Sequence, residues 1–580
     1  MCMIKTLASK IGEFKKDTIK APAFMAGEVA LECIIPMVMA MLIDEMTGES
    51  MQPIFKYGLI LLGLAIASLL CGRASARSAA TAGTGFAKNL RRDLFYKVQD
   101  FSFEDIDYFS SSSLVTRLTN DVSHIQMAFT MLIRMAIRTP LMLIFSIIMS
   151  FRINPKMAMI FLGIIPFLGV GLFVIFKVSH PIFRRIFKKY DALNNSVQEN
   201  VAGIRVVKSF VRENYEIEKF NKASEEVRKD FVGAEKILAL NNPLMMFCIK
   251  LAKELICVIG AFIIINTKGA ELSTGQLSSL ISYGVQILVA MNMLSMVFIQ
   301  ITFATEAVNR VCEVLNHEPK LKSPENGLME VKDGSIRFDN VSFSYGKHAK
   351  NYALSNINLD IKSGQTIGII GATGSSKTSL IQLISRLYDV SEGAVYVGGV
   401  DVRDYNLKVL RDAVAVVLQK NVLFTGTIKD NLRWGNKNAS DEEIERACQL
   451  SQADEFVKQR PEKYDTMLSQ GGTNVSGGQK QRLCIARALL KKPKILILDD
   501  STSAVDTRTD ALIRKAFKEE IPDTTKIIIA QRVASIEESD QIIVLDSGKI
   551  VEQGTHDELM NYKGIYAEIY NSQVNGKGEN

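Results

Sequence analysis

The sequence predicts two unlike halves: an α-helical half that crosses a membrane six times, and an α/β half that begins near residue 330. Three observations lead to this fold class. The 580 residues exceed what a single hydrophobic core usually supports, and 47% of them are hydrophobic. Long apolar stretches recur six times before residue 302. After Leu315 the pattern changes to short β-rich runs that alternate with helical segments, which is typical of an α/β domain.

The six apolar stretches have the length expected of membrane-spanning helices. A helix needs about 20 apolar residues to cross about 30 Å of hydrocarbon. The segments 86–127 and 183–240 keep helical apolar spacing with few Gly or Pro residues, so we expect membrane helices to continue well into the cytoplasm. The predicted spans are about 22–43, 54–72, 131–151, 157–177, 244–265 and 279–301.

The distribution of positive charge predicts the orientation of these spans. The net charge is +7, and Lys and Arg are concentrated in the segments 1–20, 73–130 and 178–243. The other connections, near 44–53, 152–156 and 266–276, are short and poor in both residues. Because cytoplasmic loops carry the excess of Lys and Arg, both termini and both long connections are expected in the cytoplasm. The charge forms no single basic stripe, which argues against a nucleic-acid partner.

Several charged residues lie inside the predicted spans. Charged groups are costly in lipid and usually face a bundle interior or an aqueous cavity, so they are candidates for a substrate path. Pairing between helices, or between residues four apart on one helix, explains them equally well. The candidates are Glu28, Glu32, Arg138, Lys250 and Glu254.

A polar linker at 316–330 leads into the second half, predicted at 331–575, which contains a glycine-rich loop. The stretch GATGSSKT follows the apolar strand Thr366 to Ile370 and precedes a helical run. In such a loop the backbone N–H groups cradle phosphates, the lysine reaches the β- and γ-phosphate oxygens, and the last hydroxyl binds Mg²⁺. Ser376 stands where the pattern GxxxxGK[ST] has its second glycine. The predicted phosphate-binding residues are Gly371, Thr373, Gly374, Ser375, Ser376, Lys377, Thr378 and Ser379.

Two further segments complete the nucleotide-site prediction. The apolar strand KILIL ends in Asp499 and Asp500, where a carboxylate holds Mg²⁺ through water. Upstream, VSGGQ at Val475 to Gln479 is followed by KQRLCIARALL, and this stretch resembles the signature of the ATP-binding cassette (ABC) family. In that family the signature of one cassette contacts ATP bound to the other. The resemblance assigns this contact to Ser476, Gly477, Gly478 and Gln479.

The resemblance covers essentially the whole chain and implies further roles. Gln419 matches the Q-loop and is expected near Mg²⁺ together with Thr378 and Asp499. Tyr345 matches the aromatic residue that stacks on adenine, and Ser503 to Asp506 (SAVD) matches the D-loop. The stretches Tyr108 to Val122 and Tyr190 to Phe210 resemble the intracellular loops of ABC exporters that end in coupling helices. The implied cofactors are ATP and Mg²⁺.

The sequence departs from the family pattern where hydrolysis takes place. Active family members have Glu where this chain has Asp500, and His where it has Gln531. Many exporters also have Glu where this chain has Gln470. Aspartate is one methylene shorter than glutamate, and a misplacement of about 1 Å can reduce a rate about 10²-fold. These departures predict a site that binds ATP and hydrolyses it poorly.

The pattern resembles the degenerate-site subunit of bacterial heterodimeric multidrug ABC exporters. This resemblance implies a second half-transporter as partner, a location in the bacterial cytoplasmic membrane, and export of amphipathic drugs or lipids. A peptide exporter is the main alternative, although no peptidase-like domain precedes the first span. An ATP-sensing regulatory subunit that does not itself pump is an alternative from another class. The six apolar stretches argue against a soluble nucleic-acid ATPase.

Overall fold

The computed structural model describes residues 2–46, 51–346, 352–501 and 504–575. Its helices are α1 (Cys2–Ser9), α2 (Lys15–Glu45), α3 (Met51–Gln99), α4 (Phe103–Phe109), α5 (Ser111–Thr116), α6 (Val122–Ile153), α7 (Pro155–Ala202), α8 (Ile204–Ser209), α9 (Glu213–Leu238), α10 (Asn241–Thr267), α11 (Thr274–Asn316), α12 (Lys377–Ile384), α13 (Leu407–Ala413), α14 (Ile428–Leu432), α15 (Asp441–Leu450), α16 (Asp454–Lys458), α17 (Gly477–Leu489), α18 (Thr507–Glu520), α19 (His556–Tyr562) and α20 (Ile565–Asn575).

Within the described residues, all strands lie in the second half of the chain. They are β1 (Ile336–Phe343), β2 (Leu354–Ile361), β3 (Thr366–Ile370), β4 (Glu392–Val397), β5 (Val400–Asp401), β6 (Val414–Val417), β7 (Gly426–Thr427), β8 (Met467–Leu468), β9 (Ile495–Asp499), β10 (Thr525–Ile529), β11 (Gln541–Asp546) and β12 (Lys549–Gly554).

The chain forms two structural units, and each unit is built from two separate segments of the sequence. The first unit comprises Met1–Gln99 and Ser112–His317, and the second comprises Asp100–Ser111 and Glu318–Asn580. The second unit therefore includes α4, a short helix from the first half of the sequence. The expected boundary near 316–330 is close to the break after His317.

Long helices build the first unit. Within the described residues, five helical segments are long and apolar enough to cross a membrane. They are Gly12–Glu45, Met51–Gln99, Ser111–Ile153, Pro155–Ser179 and Thr274–Val297. The fifth predicted span, about 244–265, lies in α10, a helix of 27 residues that carries Lys250, Lys253 and Glu254 near its middle. The helices α3, α7 and α11 have 49, 48 and 43 residues and are much longer than a bilayer requires. Parts of the predicted extensions 86–127 and 183–240 lie in α3 and α7, whereas the length of α11 was not predicted.

Close helix approaches and local caps hold this unit together. A methyl group added at Gly275 would lie 2.1 Å from the carbonyl oxygen of Ala40, so α11 begins against the backbone of α2. Asp44, at the end of α2, accepts hydrogen bonds from the Gly275 N–H at 2.8 Å and the Ser273 hydroxyl at 2.6 Å. A carboxylate at a helix N-terminus is favourable because it pairs with unsatisfied N–H groups. Asn154 caps α7 in the same way, by accepting from the Met157 N–H at 3.2 Å.

A π-helical turn at Arg117–Asp121 joins α5 to α6 and is tied to α11 by two reciprocal ion pairs. Arg117 donates to Glu313 at 2.8 Å, and Arg310 donates to Asp121 at 2.8 Å. Part of the stretch Tyr108 to Val122, expected to end in a coupling helix, thus belongs to this turn. The short helix α4 lies earlier, at Phe103–Phe109, because the capping box of Ser102 and Asp105 starts it there.

The second unit contains two main sheets. The larger has the strand order β12-β11-β3-β10-β9-β6, in which the strands from β11 to β6 are parallel and only β12 is antiparallel. The second sheet, with the order β2-β1-β4-β5, is antiparallel. All residues of β9 and β10 are buried, as expected of parallel strands covered on both faces. The larger sheet therefore places the carboxyl ends of five parallel strands at one edge, where α/β proteins bind ligands.

Candidate functional site

The predicted nucleotide residues gather at the carboxyl edge of the larger sheet. The glycine-rich loop follows β3, Asp499 ends β9, Gln531 follows β10, and Gln419 follows β6. In the pairing, Ile529 of β10 lies opposite both Asp499 and Ile369, so these strands end level with one another. The parallel register therefore brings together residues that are more than 100 positions apart in sequence.

Two positions of the glycine-rich loop have backbone conformations or contacts that favour glycine. A methyl group at Gly371 would lie 2.1 Å from the carbonyl oxygen of Leu545, so only glycine fits at this position. Ser376, in place of the second glycine, has φ +70° and ψ +26°, which is the left-handed region. A residue with a side chain pays about 1–2 kcal/mol to adopt this conformation. The serine therefore preserves the path of the loop at an energetic cost.

Hydrogen bonds fix the positions of the Lys377 ammonium and the Thr378 hydroxyl beside the loop. The Lys377 ammonium donates to the carbonyl oxygens of Gly371 at 2.9 Å and Ala372 at 2.8 Å. The Thr378 hydroxyl donates to Asp499 at 3.0 Å. Burial lowers the pKa of Lys377, and the nearby aspartates oppose this change. Burial also raises the pKa of Asp499, against the hydrogen bond from Thr378.

These groups fit ATP with Mg²⁺. The backbone turn at Gly371 and Gly374 provides N–H groups and no side chain, and Lys377 supplies a positive charge beside it. Thr378 and Asp499 together offer the hydroxyl and carboxylate oxygens that Mg²⁺ prefers. Among the described residues no cluster of three or more His, Cys, Asp or Glu could hold a metal by itself, so the ion would need phosphate oxygens as further ligands.

Asp500 is surrounded by amides. Its carboxylate accepts a hydrogen bond from Gln531 Nε2 at 2.8 Å, and Gln419 Nε2 lies 3.5 Å from the same oxygen. Asp500 itself has φ +47°, and its N–H donates to the carbonyl oxygen of Ile529 at 3.0 Å. Burial raises the pKa of Asp500, while the two amide donors lower it. Asp500 and Gln531, two of the positions that depart from the family pattern, are therefore bonded to each other.

The aromatic residue Tyr345 lies at the other end of the glycine-rich loop. Its hydroxyl is 2.8 Å from the Ser379 hydroxyl and donates to Gln382 at 3.2 Å, both on α12. Its ring meets the ring of Tyr388 edge-on at 5.2 Å. The Tyr388 hydroxyl donates to Asp107 of α4 at 2.7 Å, and burial raises the pKa of Tyr388. An aromatic pair thus connects the expected adenine position with α4.

The signature segment forms a helix N-terminus. Ser476 caps α17 through a capping box with Gln479. A methyl group at Gly478 would lie 2.7 Å from the carbonyl oxygen of Ala504, whereas among the described residues one at Gly477 would contact the Ala504 side chain alone, at 3.5 Å. Ser503, which begins the predicted D-loop, lies outside the described residues. Asp506 caps α18 by accepting from the Thr509 N–H at 2.9 Å.

The structure separates these predicted residues into two sets. A cavity of about 680 Å³ is lined by Gly371, Thr373, Gly374, Ser376, Lys377, Thr378, Ser379, Gln419, Asp499, Asp500 and Gln531. Neither Ser375, Tyr345, Asp506 nor the residues 476–479 line it. The cavity wall also includes residues that the sequence analysis missed, among them Asp546 and, on α20, Ile565 and Ile569. No motif marks these residues.

Three of the charged candidates in the first unit form one ionic cluster. Arg138 of α6 donates to Glu28 at 2.8 Å and to both carboxylate oxygens of Glu32 at 2.7 and 2.9 Å. These side chains lie largely buried. Lys250 and Glu254 of α10 are exposed, and within the described part of the chain neither forms a hydrogen bond or ion pair. The five candidates thus do not form a single site within this chain.

The middle of the second long connection, 178–243, exposes apolar side chains. It comprises α8 and the turn after it, within which Phe210 is 72% and Val211 80% exposed. Val211 also has φ +52°, an unusual conformation for a β-branched residue. An exposed apolar tip of this kind is typical of a surface that contacts another chain.

Comparison with known proteins identifies the family. Residues 22–291 match the family described as ABC transporter transmembrane region, and residues 354–503 match ABC transporter. The uncharacterized ABC transporter ATP-binding protein YfiB of Bacillus subtilis is 36% identical over 555 residues, which cover 96% of each chain. The ATP-dependent lipid A-core flippase of Desulfotalea psychrophila is 32% identical over 492 residues, 85% of each chain.

A solved structure shares the fold. A bacterial Atm1-family ABC exporter with ATP bound superposes with a TM-score of 0.84, at 24% sequence identity, and the match covers 96% of this chain and 99% of the other. The predicted fold class, a helical membrane domain with long extensions fused to an ABC ATPase domain, is confirmed. The chain belongs to the ABC transporter family, as an exporter half-transporter in which a transmembrane domain is fused to an ATP-hydrolysing domain.

Proposed function

We propose that this chain is the degenerate-site half of a heterodimeric exporter in the bacterial cytoplasmic membrane, with both termini in the cytoplasm. Its own glycine-rich loop binds Mg²⁺ and ATP but hydrolyses ATP slowly, and its signature segment completes the active site on the partner. The contact between Gln531 and Asp500 is the observation that carries this proposal.

The contact supports slow hydrolysis for two physical reasons. Asp500 is shorter than glutamate, so its carboxylate reaches less far toward the position of an attacking water molecule. The Gln531 amide also donates to the carboxylate oxygen that a water molecule would need as its acceptor. The phosphate-binding groups Lys377, Thr378 and Asp499 carry no comparable change. The changes at Asp500 and Gln531 are therefore expected to slow hydrolysis more than they weaken ATP binding.

Two features support a partner chain. Ser476 and Gly477 form a capped helix N-terminus outside the cavity of this chain, which suits a contact with nucleotide on another cassette. The exposed apolar tip at Phe210 and Val211 suits a contact with a second ATPase domain. The exposed charges of α10 would then face the partner or the substrate path rather than lipid.

For the transported molecule we propose an amphipathic drug or lipid. The likeness to a protein named as a lipid A-core flippase supports the lipid class. The ionic cluster of Arg138, Glu28 and Glu32 supports a structural role for these three residues, because each is already paired. Of the five candidates, Lys250 and Glu254 are better placed to meet a substrate.

The test is Mg²⁺-dependent ATP hydrolysis by the purified chain alone and after co-expression with a half-transporter that has Glu and His at the positions of Asp500 and Gln531. Turnover by the pair only, lost when Ser476 or Gly477 of this chain is mutated, is the expected result. Hydrolysis by the chain alone at the rate of the pair would refute the proposal and indicate a homodimer. Substrate-stimulated hydrolysis after reconstitution in lipid distinguishes a pump from a regulatory ATP sensor.

A further inference from the structure

The last helix, α20, forms one wall of the nucleotide cavity. Ile565, Ile569 and Gln573 are spaced by four residues, so they share one face of this helix. Both isoleucines line the cavity together with the glycine-rich loop. Gln573 continues the same face beyond the cavity, toward the segment that follows β10.

The start of α20 is firmly anchored to the ATPase domain. Glu552 of β12 is buried and accepts hydrogen bonds from the N–H groups of Ile565 at 2.5 Å and Tyr566 at 3.0 Å. A carboxylate at this position satisfies two N–H groups that a helix leaves unpaired. Tyr566 is fully buried, and its hydroxyl lies 2.7 Å from His556 Nδ1. The helix is therefore held at one end by buried contacts and is positioned as a rigid element.

Gln573 pairs with the main chain on both sides of Arg532. Its amide nitrogen donates to the carbonyl oxygen of Gln531 at 2.7 Å, and its amide oxygen accepts from the N–H of Val533 at 2.9 Å. A neighbouring β-strand would bind the same two groups, the carbonyl of one residue and the N–H two residues later. Beyond the end of β10, the Gln573 side chain thus binds the main chain as a neighbouring strand would.

We propose that Gln573 is a positioning residue that fixes the main chain at 531–533 and so directs the Gln531 amide toward Asp500 and the γ-phosphate of ATP. The inference rests on the proposed role of Gln531 at this chain's site. It adds that the C-terminal helix controls how well the site distinguishes ATP from ADP, because only ATP has the phosphate that Gln531 would reach.

The experiment compares binding of Mg²⁺-AMP-PNP and Mg²⁺-ADP to the full-length chain in lipid nanodiscs. The variant Gln573→Glu keeps the shape and the acceptor for Val533, but it removes the donor to the Gln531 carbonyl. Asn571→Asp, exposed on another face of α20, introduces the same charge as a matched control. Gln531→Ala reports the effect of losing the amide itself.

The expected result is a loss of AMP-PNP affinity of about five-fold in Gln573→Glu, with ADP affinity changed less than two-fold, as one lost hydrogen bond implies. Gln531→Ala should show the same selectivity, and Asn571→Asp should match the parent. Equal weakening of both nucleotides in Gln573→Glu would indicate a general structural role and overturn the inference.

The remaining outcomes separate the inference from the proposal beneath it. If Gln531→Ala loses affinity for AMP-PNP selectively and Gln573→Glu does not, the positioning role is wrong and the role of Gln531 stands. If Gln531→Ala does not change the ratio of the two affinities, the proposed role of Gln531 fails, and the inference fails with it. A Gln573→Asn variant, which shortens the side chain without adding charge, should show the same selective loss and excludes a charge artefact.

Discussion

Replacing Tyr388 with Phe should loosen α4 without disturbing the nucleotide site. The change removes only the hydroxyl that donates to Asp107 at 2.7 Å. The ring, which is buried and meets Tyr345 at 5.2 Å and Phe343 at 5.6 Å, stays in place. The lost hydrogen bond therefore acts on α4, while the aromatic support of Tyr345 remains.

The magnitude follows from the charge of the acceptor. A hydrogen bond to a charged group contributes about 1.5–3 kcal/mol, which corresponds to a change of about 10- to 150-fold in a local opening equilibrium. The capping box of Ser102 and Asp105 still stabilises the start of α4. The ion pair of Glu104 with Lys320 still holds the helix to the rest of the unit. We therefore expect local opening of α4 rather than unfolding of the domain.

Hydrogen–deuterium exchange of the full-length chain in nanodiscs measures this opening. In Tyr388→Phe the α4 amides should exchange about 10- to 150-fold faster, within the range of the hydrogen bond, while ATP affinity stays within two-fold of the parent. Tyr352→Phe is the matched control, because its hydroxyl also donates to a carboxylate, that of Glu392, at 2.9 Å. Unchanged exchange of α4, or an equal increase in the control, would refute the argument that Tyr388 holds this helix.

Three further predictions concern strain, pairing and thiol reactivity. Ser376→Gly should raise the free energy of unfolding of the ATPase domain by about 0.5–1 kcal/mol, because it relieves the left-handed conformation that the folded loop imposes on serine. Gly374→Ala, at φ +87° and with no described atom within 4 Å of the added methyl group, should lower this free energy. Equal midpoints in chemical denaturation would contradict this prediction. Arg138→Met should destabilise the membrane unit by about 3–5 kcal/mol in thermal unfolding, with partial recovery on adding Glu32→Gln; an unchanged midpoint would show that the cluster adds no stability. Burial raises the pKa of Cys448 to about 12, so at pH 8 this thiol should react with maleimide about 10³-fold more slowly than an exposed thiol until the chain is unfolded; rapid labelling of the folded chain would show that the site opens.

The placement of the predicted nucleotide-binding residues was largely predictable because they belong to short, continuous motifs. The loop GATGSSKT and the strand before Asp499 each combine a secondary-structure pattern with fixed residue types. The predicted strand Thr366 to Ile370 agrees with β3. The parallel sheet then brings the ends of these strands together, which is a general property of the fold and not of this sequence alone.

The supports of the site were not predictable in the same way. Tyr388 and Asp107 are 281 residues apart, and Gln573 and Val533 are 40 residues apart. Each pair depends on tertiary packing, and a single tyrosine, aspartate or glutamine in a sequence does not indicate which residue it contacts. The four-residue spacing of Ile565, Ile569 and Gln573 was the one available signal, and it predicts a shared helix face without indicating what that face contacts.

In the membrane half, the helices were predictable from the sequence and the pairing of their charged residues was not. Hydropathy locates long apolar helices well because their length is set by the bilayer, but it does not reveal which charges meet. Glu28 and Glu32 are one turn apart on α2, so both can reach a single partner, and that partner is Arg138 on α6. The ion pair between helices, and not a pair along one helix, explains these charges.

The two unpredicted supports act at opposite ends of the nucleotide site, and this arrangement bears on how the chain would use ATP. At the end where adenine is expected, Tyr345 meets Tyr388, which is bonded to α4. At the phosphate end, the main chain of Gln531 is bonded to Gln573 on α20. A site that hydrolyses ATP slowly can still shift the conformation of the chain when ATP binds. This requires that bound ATP changes the stability of elements outside the site. The bonds to α4 and α20 provide such connections, and neither involves Asp500, so loss of hydrolysis would leave both intact.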